Sequence, residues 1–147
     1  MKKISLLTLS LFLFATTLLA QHATYSGNGD DVITLDKPDS NMPALLQIWG
    51  NSSHRHFAVK GYDSSGNQTE LLVNTTKDYK GFVPVDLGTN SQTTRLEISA
   101  SGTWSIDVYS IGSAQTMDVP GSCTGHGDDV LWVEGQPSRK EFGSLGL

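Results

Sequence analysis

From Asp31 onward the chain carries no sustained apolar repeat at helical spacing. Its Val, Ile, Leu, Phe, Trp and Tyr residues fall instead in short runs broken by Gly, Asn, Asp and Ser. Runs of this kind are too short to bury a helix face but suit half-covered strands, so the chain is constrained to an antiparallel all-β fold. Strands are expected at Val32 to Leu35, Ala44 to Trp49, His56 to Tyr62, Glu70 to Asn74, Phe82 to Leu87, Thr94 to Ala100, Thr103 to Ile111 and Val130 to Val133. So many short strands cannot hide their apolar faces in one open sheet. The expected architecture is therefore a two-sheet sandwich of jelly-roll or immunoglobulin-like type with about eight strands.

Alternation sets the faces. Trp104, Ile106 and Val108 share one side of their strand, with Ser105, Asp107 and Tyr109 on the other, and Arg95 to Ile98 alternates likewise. Ala100-Ser101-Gly102 between these runs predicts a hairpin, and Asp63 to Asn67 predicts a second one joining His56–Tyr62 to Glu70–Asn74. Leu45-Leu46 and Val130 to Val133 are apolar on both faces, which implies cover on both sides or an oligomer contact. The stretch from Gly112 to Gly121 is expected to be loop, because it is polar and contains Pro120.

One phrase occurs twice, as Ser26-Gly27-Asn28-Gly29-Asp30-Asp31-Val32 and as Thr124-Gly125-His126-Gly127-Asp128-Asp129-Val130, each running into an apolar segment. It reads as a turn that launches a strand. Gly27, Gly29, Asp31 and Ile33, with Gly125, Gly127, Asp129 and Leu131, resemble most of the calcium-binding nonapeptide of RTX proteins. That family's parallel roll needs adjacent copies, and these are isolated, so its fold is rejected. Asp30, Asp31, Asp128 and Asp129 remain candidate calcium ligands as hard oxygen donors, against the plainer reading of turn chemistry at a strand entrance.

Residues 1–20 read as a secretory signal peptide: Lys2 and Lys3, an apolar stretch, then Ala20 as a small residue suited to cleavage. Export to the periplasm or the extracellular space is expected, with residues 21–134 as a single domain, 135–147 as a flexible tail, and no transmembrane segment after cleavage. Without Lys2 and Lys3, eight basic residues face fifteen acidic ones, and no basic cluster exists, which speaks against a nucleic-acid partner. Cys123 is the single cysteine, so no disulfide within the chain can brace the domain.

The remaining candidates are few. His54 and His56 form a His-x-His pair that would project both rings to one side of a strand, as zinc requires, but no third ligand is visible. Trp49, Tyr62, Tyr79, Tyr109 and Trp132 are the aromatics that can face outward and stack on sugar rings; Trp104 is assigned to the core. No nucleophile elbow and no selectable carboxylate pair supports catalysis. Across residues 26–111, Phe57-Ala58-Val59, Glu70 to Val73 and Gly102 to Val108 give a chain similar to the small β-sandwich accessory domains of secreted bacterial enzymes, of the pre-peptidase C-terminal and carbohydrate-binding module types. The resemblance implies a sandwich that binds rather than catalyses.

The expected function is thus a non-catalytic binding module of the bacterial envelope or extracellular space, taking a polysaccharide or an envelope protein, with calcium as the cofactor to test. The alternatives are an assembly subunit joined through an apolar edge strand or Cys123, and a small secreted hydrolase.

Overall fold

The structure, a computed structural model, describes residues 21–88, 92–119, 121–122, 124 and 127–135. It is a sandwich of two antiparallel four-stranded sheets with a small two-stranded annex. The first sheet runs in the order β1 (Gln21–Asn28), β8 (Thr103–Ser110), β3 (Ala44–Gly50), β6 (Tyr79–Val85). The second runs β2 (Asp31–Thr34), β7 (Arg95–Ser99), β4 (Phe57–Tyr62), β5 (Gln68–Thr75). In the annex, β10 (Leu131–Glu134) lies parallel to β9 (Gln115–Asp118).

The core is the alternation made solid. From the first sheet Ala44, Leu46, Ile48, Val85, Trp104, Ile106 and Val108 point inward, and they meet Phe57, Val59, Val73, Leu96 and Ile98 from the second. Glycine admits two of the larger rings: a Cβ on Gly50 would lie 2.6 Å from the Phe57 ring, and one on Gly27 would lie 2.5 Å from the Trp104 ring.

A second cluster sits on the outer face of the first sheet. Leu45 and Tyr109 are buried there with Ala114, and Phe82, Ile111 and Val130 pack against them. The chain after β8 folds back over that face, through a short 3₁₀ turn at Ile111–Ser113 into β9, which accounts for the two-faced apolarity of Leu45-Leu46.

Two expectations are corrected. Ala100-Ser101-Gly102 is not a hairpin turn, because β7 and β8 belong to different sheets. It is an arch between layers. Leu96 and Ile98 face the core from one side, and Trp104, Ile106 and Val108 face it from the other, an alternation that a hairpin would share. The Gly112 to Gly121 stretch also contains a strand, β9, whose partner β10 comes from the far end of the domain. The hairpin through Asp63 to Asn67 is present: β4 pairs β5, and Asp63 accepts from the backbone amides of Ser65 and Asn67.

Candidate functional site

The Gly-Asp-Asp-Val part of the repeated phrase folds the same way twice. Gly29 and Gly127 both take φ +82°, and in each copy the second aspartate accepts from the next amide: Asp31 Oδ1 from Val32 N–H and Asp129 Oδ1 from Val130 N–H, both at 2.8 Å. A positive φ at this position is why glycine stands there.

The surroundings differ. The first copy carries the chain from β1 across to β2 and is latched to the β7–β8 arch. Gly29 N–H donates to Gly102 O, Ala100 N–H to Asp30 Oδ1 at 2.8 Å, and the Trp104 indole N–H to Gly29 O at 2.9 Å. The second copy docks along the free edge of β6. There Phe82 N–H donates to Asp128 O at 2.8 Å, and the Tyr79 hydroxyl donates to Asp128 Oδ2 at 2.8 Å.

Asp30 and Asp31 therefore lie beside β1 and β2 on one flank of the sandwich, while Asp128 and Asp129 lie beside β6 on the other. The four candidate calcium ligands do not converge. Each already accepts a hydrogen bond from the protein. No group of three or more metal-ligating side chains occurs among the described residues.

His54 lies in the loop between β3 and β4 with φ +53°, and His56 precedes β4, its Nε2 lying 3.1 Å from Asn74 Oδ1. The strand geometry that would aim both rings at one zinc ion is absent from this pair. Cys123 and His126 lie outside the described residues.

The candidate aromatics separate into different environments. Tyr109 stands on the outer face as its alternation with Ser105 and Asp107 requires, yet it is only 8% exposed, because the returning chain covers it. Burial, with the nearby charge of Asp107, pushes its hydroxyl pKa up. Tyr62 lies on the second sheet, its ring covered by the Arg95 guanidinium at 5.5 Å. Trp132 is 44% exposed on β10, its indole N–H donating to Ile111 O at 3.2 Å.

Trp49 is the candidate that lines an open groove, while the Tyr79 ring turns to the core side, 6.5 Å from Phe57. The uncovered half of the first sheet's outer face holds a shallow groove of about 400 Å³ lined by Trp49, Ser52, Asp78, Lys80, Thr103 and Ser105, with Tyr79 at its margin. Strand register builds it: Trp49 on β3 has Ser105 of β8 on one side and Lys80 of β6 on the other, and Ser26 of β1 extends the row beyond Ser105. The Lys80 ammonium lies 5.8 Å from the Trp49 ring centroid, within reach of the ring's negative face. In the next row Asp107 accepts from Thr24 Oγ1 at 2.9 Å and from Gln21 Nε2 at 3.2 Å.

The second copy of the phrase holds the Tyr79 hydroxyl at the edge of β6. Desolvation raises its hydroxyl pKa far above the ordinary tyrosine value, and the hydrogen bond to Asp128 and that carboxylate's charge add to the rise. The tyrosine thus stays protonated and donates.

Chemically the groove offers a flat indole ringed by three hydroxyls, one carboxylate and one ammonium. A ring stacked on Trp49 would find donors and acceptors on both sides. Lys80, Asp78, Ser52, Thr103 and Ser105 were not among the residues the sequence singled out. The available signal lay in Tyr79 to Val85, where Gly81, Val83 and Val85 alternate with Lys80, Phe82 and Pro84 and so turn Lys80 outward.

Fold and groove together define a two-sheet β-sandwich with one open, aromatic-bearing sheet face. Comparison with protein-family models, with curated proteins and with solved structures finds no match for the chain.

Proposed function

We propose that this chain is an exported, non-catalytic binding module that holds a polysaccharide against the open half of its first sheet. The observation that carries the reading is the Trp49 groove, where an indole lies in a hydroxyl-lined row between Ser105 and Lys80 on a rigid sheet. Sugar rings present an apolar face that stacks on an aromatic plane and a rim of hydroxyls that needs paired donors and acceptors. A sheet face suits an extended chain of such rings better than a deep pocket does. Export rests on the sequence of residues 1–20.

Affinity electrophoresis through gels containing soluble polysaccharides tests this. Retardation by at least one of them is expected, and migration unchanged in every gel counts against glycan binding. A calcium ion would have to be held by one acidic pair at a time, since the pairs occupy opposite flanks.

One observation favours the assembly reading as a second choice. Trp132 and Val133 are 44% and 58% exposed on β10, in a sheet of only two strands. Exposed apolar strands in a short sheet are the kind of edge another chain can extend. Size-exclusion chromatography with light scattering decides it: a monomer at micromolar concentration removes that reading.

A further inference from the structure

The end of the sandwich away from the repeated turn contains a buried charge pair that the binding face does not use. Lys37, in the crossing from β2 to β3, places its Nζ 2.5 Å from Oδ2 of Asp86, which follows β6. Their side chains are 3% and 0% exposed.

The two carboxylate oxygens of Asp86 are held unequally. Oδ1 accepts from the Thr93 hydroxyl at 2.7 Å and from Thr93 N–H at 3.0 Å, and the Thr93 hydroxyl is in turn 2.6 Å from that of Thr69. Oδ2 takes the Lys37 ammonium and a longer contact of 3.1 Å from the same Thr93 N–H. Lys37 also donates to Gln92 Oε1 at 2.8 Å. Glu70 completes the group, its Oε1 accepting from Asp86 N–H at 3.1 Å. Asp86 itself is held at φ +63°, a region non-glycine residues rarely occupy.

We propose that Lys37 and Asp86 condense to an intramolecular isopeptide bond, so that the mature domain is cross-linked between the β2–β3 crossing and the end of β6. In the balanced step, the Lys37 ammonium passes a proton to Asp86 across their short contact, leaving a neutral amine and a neutral acid. The amine lone pair attacks Cγ to form the N–C bond. Negative charge develops on Oδ1, where the Thr93 hydroxyl and amide are already aimed, the placement that stabilises a tetrahedral intermediate. The C–Oδ2 bond then breaks. A second amine proton passes to the departing oxygen, which leaves as water.

The ion pair thus becomes an amide plus one water with no net proton gained or lost, and no oxidant or cofactor enters. Burial favours the neutral product over a desolvated ion pair. Holding amine and acid in contact supplies the encounter that a bimolecular condensation would lack. The product keeps the surrounding bonds: the new amide oxygen, formerly Oδ1, still accepts from Thr93, and the new N–H can still donate to Gln92.

The test is the intact mass of the purified, denatured full chain, followed by proteolysis and sequencing of any joined peptide. The expected result is a mass one water below that of the linear chain and a peptide pair joined at Lys37 and Asp86. Lys37→Arg, which keeps the charge but not the nucleophile, is expected at its full linear mass. Because mass is read on denatured chain, the wild-type result stands even where a variant folds poorly. A wild-type mass equal to the linear chain overturns the proposal and leaves a buried salt bridge. A water loss that persists in Lys37→Arg also overturns it, since the dehydration then lies elsewhere.

Discussion

Alanine at the paired turn glycines measures how firmly the second copy of the repeated phrase is built into the domain. Gly29 and Gly127 share φ +82°, so Ala at either carries the same left-handed strain, about 1–2 kcal/mol. Loss of unfolded-state freedom returns about 0.4–1 kcal/mol of that. At Gly29 an added methyl would meet nothing within 4 Å, so the net cost there is the backbone difference, about 1 kcal/mol. At Gly127 the added methyl would land on the Lys80 carbonyl.

Relieving that contact means moving the turn off β6, which gives up the Phe82 N–H bond to Asp128 O and the Tyr79 bond to Asp128 Oδ2. At about 1 kcal/mol each, these bring the cost of Gly127→Ala to about 3 kcal/mol. Thermal unfolding followed by circular dichroism reads the difference. With about 4 °C per kcal/mol for a domain of this size, Gly29→Ala should melt about 4 °C below wild type and Gly127→Ala about 12 °C below. A Gly127→Ala protein that melts with wild type, beside a destabilised Gly29→Ala, would refute the docking of the second copy on β6.

Phe57→Ala, which empties a fully buried ring site, is expected to cost about 3–5 kcal/mol in urea unfolding, and a loss under about 1 kcal/mol would contradict its central place in the core. Tyr79 gives a pH signature. Its folded pKa is raised, so the stability it contributes is complete below the unfolded tyrosine value of about 10 and is lost as pH climbs above it. The wild-type melting temperature should therefore fall more steeply above about pH 10 than that of Tyr79→Phe, and equal slopes would count against the Tyr79–Asp128 bond. Excess calcium is expected to leave the melting temperature where a chelator leaves it; a rise of several degrees that Asp31→Ala or Asp129→Ala abolishes would assign an ion to one acidic pair.

The sandwich was legible because alternation is a local property. Trp104, Ile106 and Val108 declare their face whatever they pair with, and Leu96 and Ile98 do the same. What they do not declare is which sheet they enter, and so the Ala100 to Gly102 arch resembles a hairpin in sequence. β1 carries a weak sequence signal, because Gln21 to Asn28 has only Ala23 and Tyr25 as apolar inward residues beside Gly27, whose missing side chain makes room for Trp104. β9 is equally sparse, with Met117 as its one large apolar residue.

The turn role of Gly-Asp-Asp could be read from glycine and aspartate chemistry, but its two docking sites depend on long-range neighbours. The same holds for the groove. Trp49 could be named from its strand, whereas Lys80 and Ser105 become its neighbours only through the register of β6 and β8. The Lys37–Asp86 pair is the extreme case, 49 residues apart in sequence and invisible without the fold.

Trp49 is the proposed platform on which a polysaccharide lies. Affinity electrophoresis of wild type and Trp49→Ala, side by side through the same polysaccharide gels and with melting temperatures measured on both, tests it most directly. A polysaccharide that retards the wild-type domain should leave Trp49→Ala migrating as it does in plain gel, with folding intact. Retardation that survives unchanged in a folded Trp49→Ala protein would contradict it.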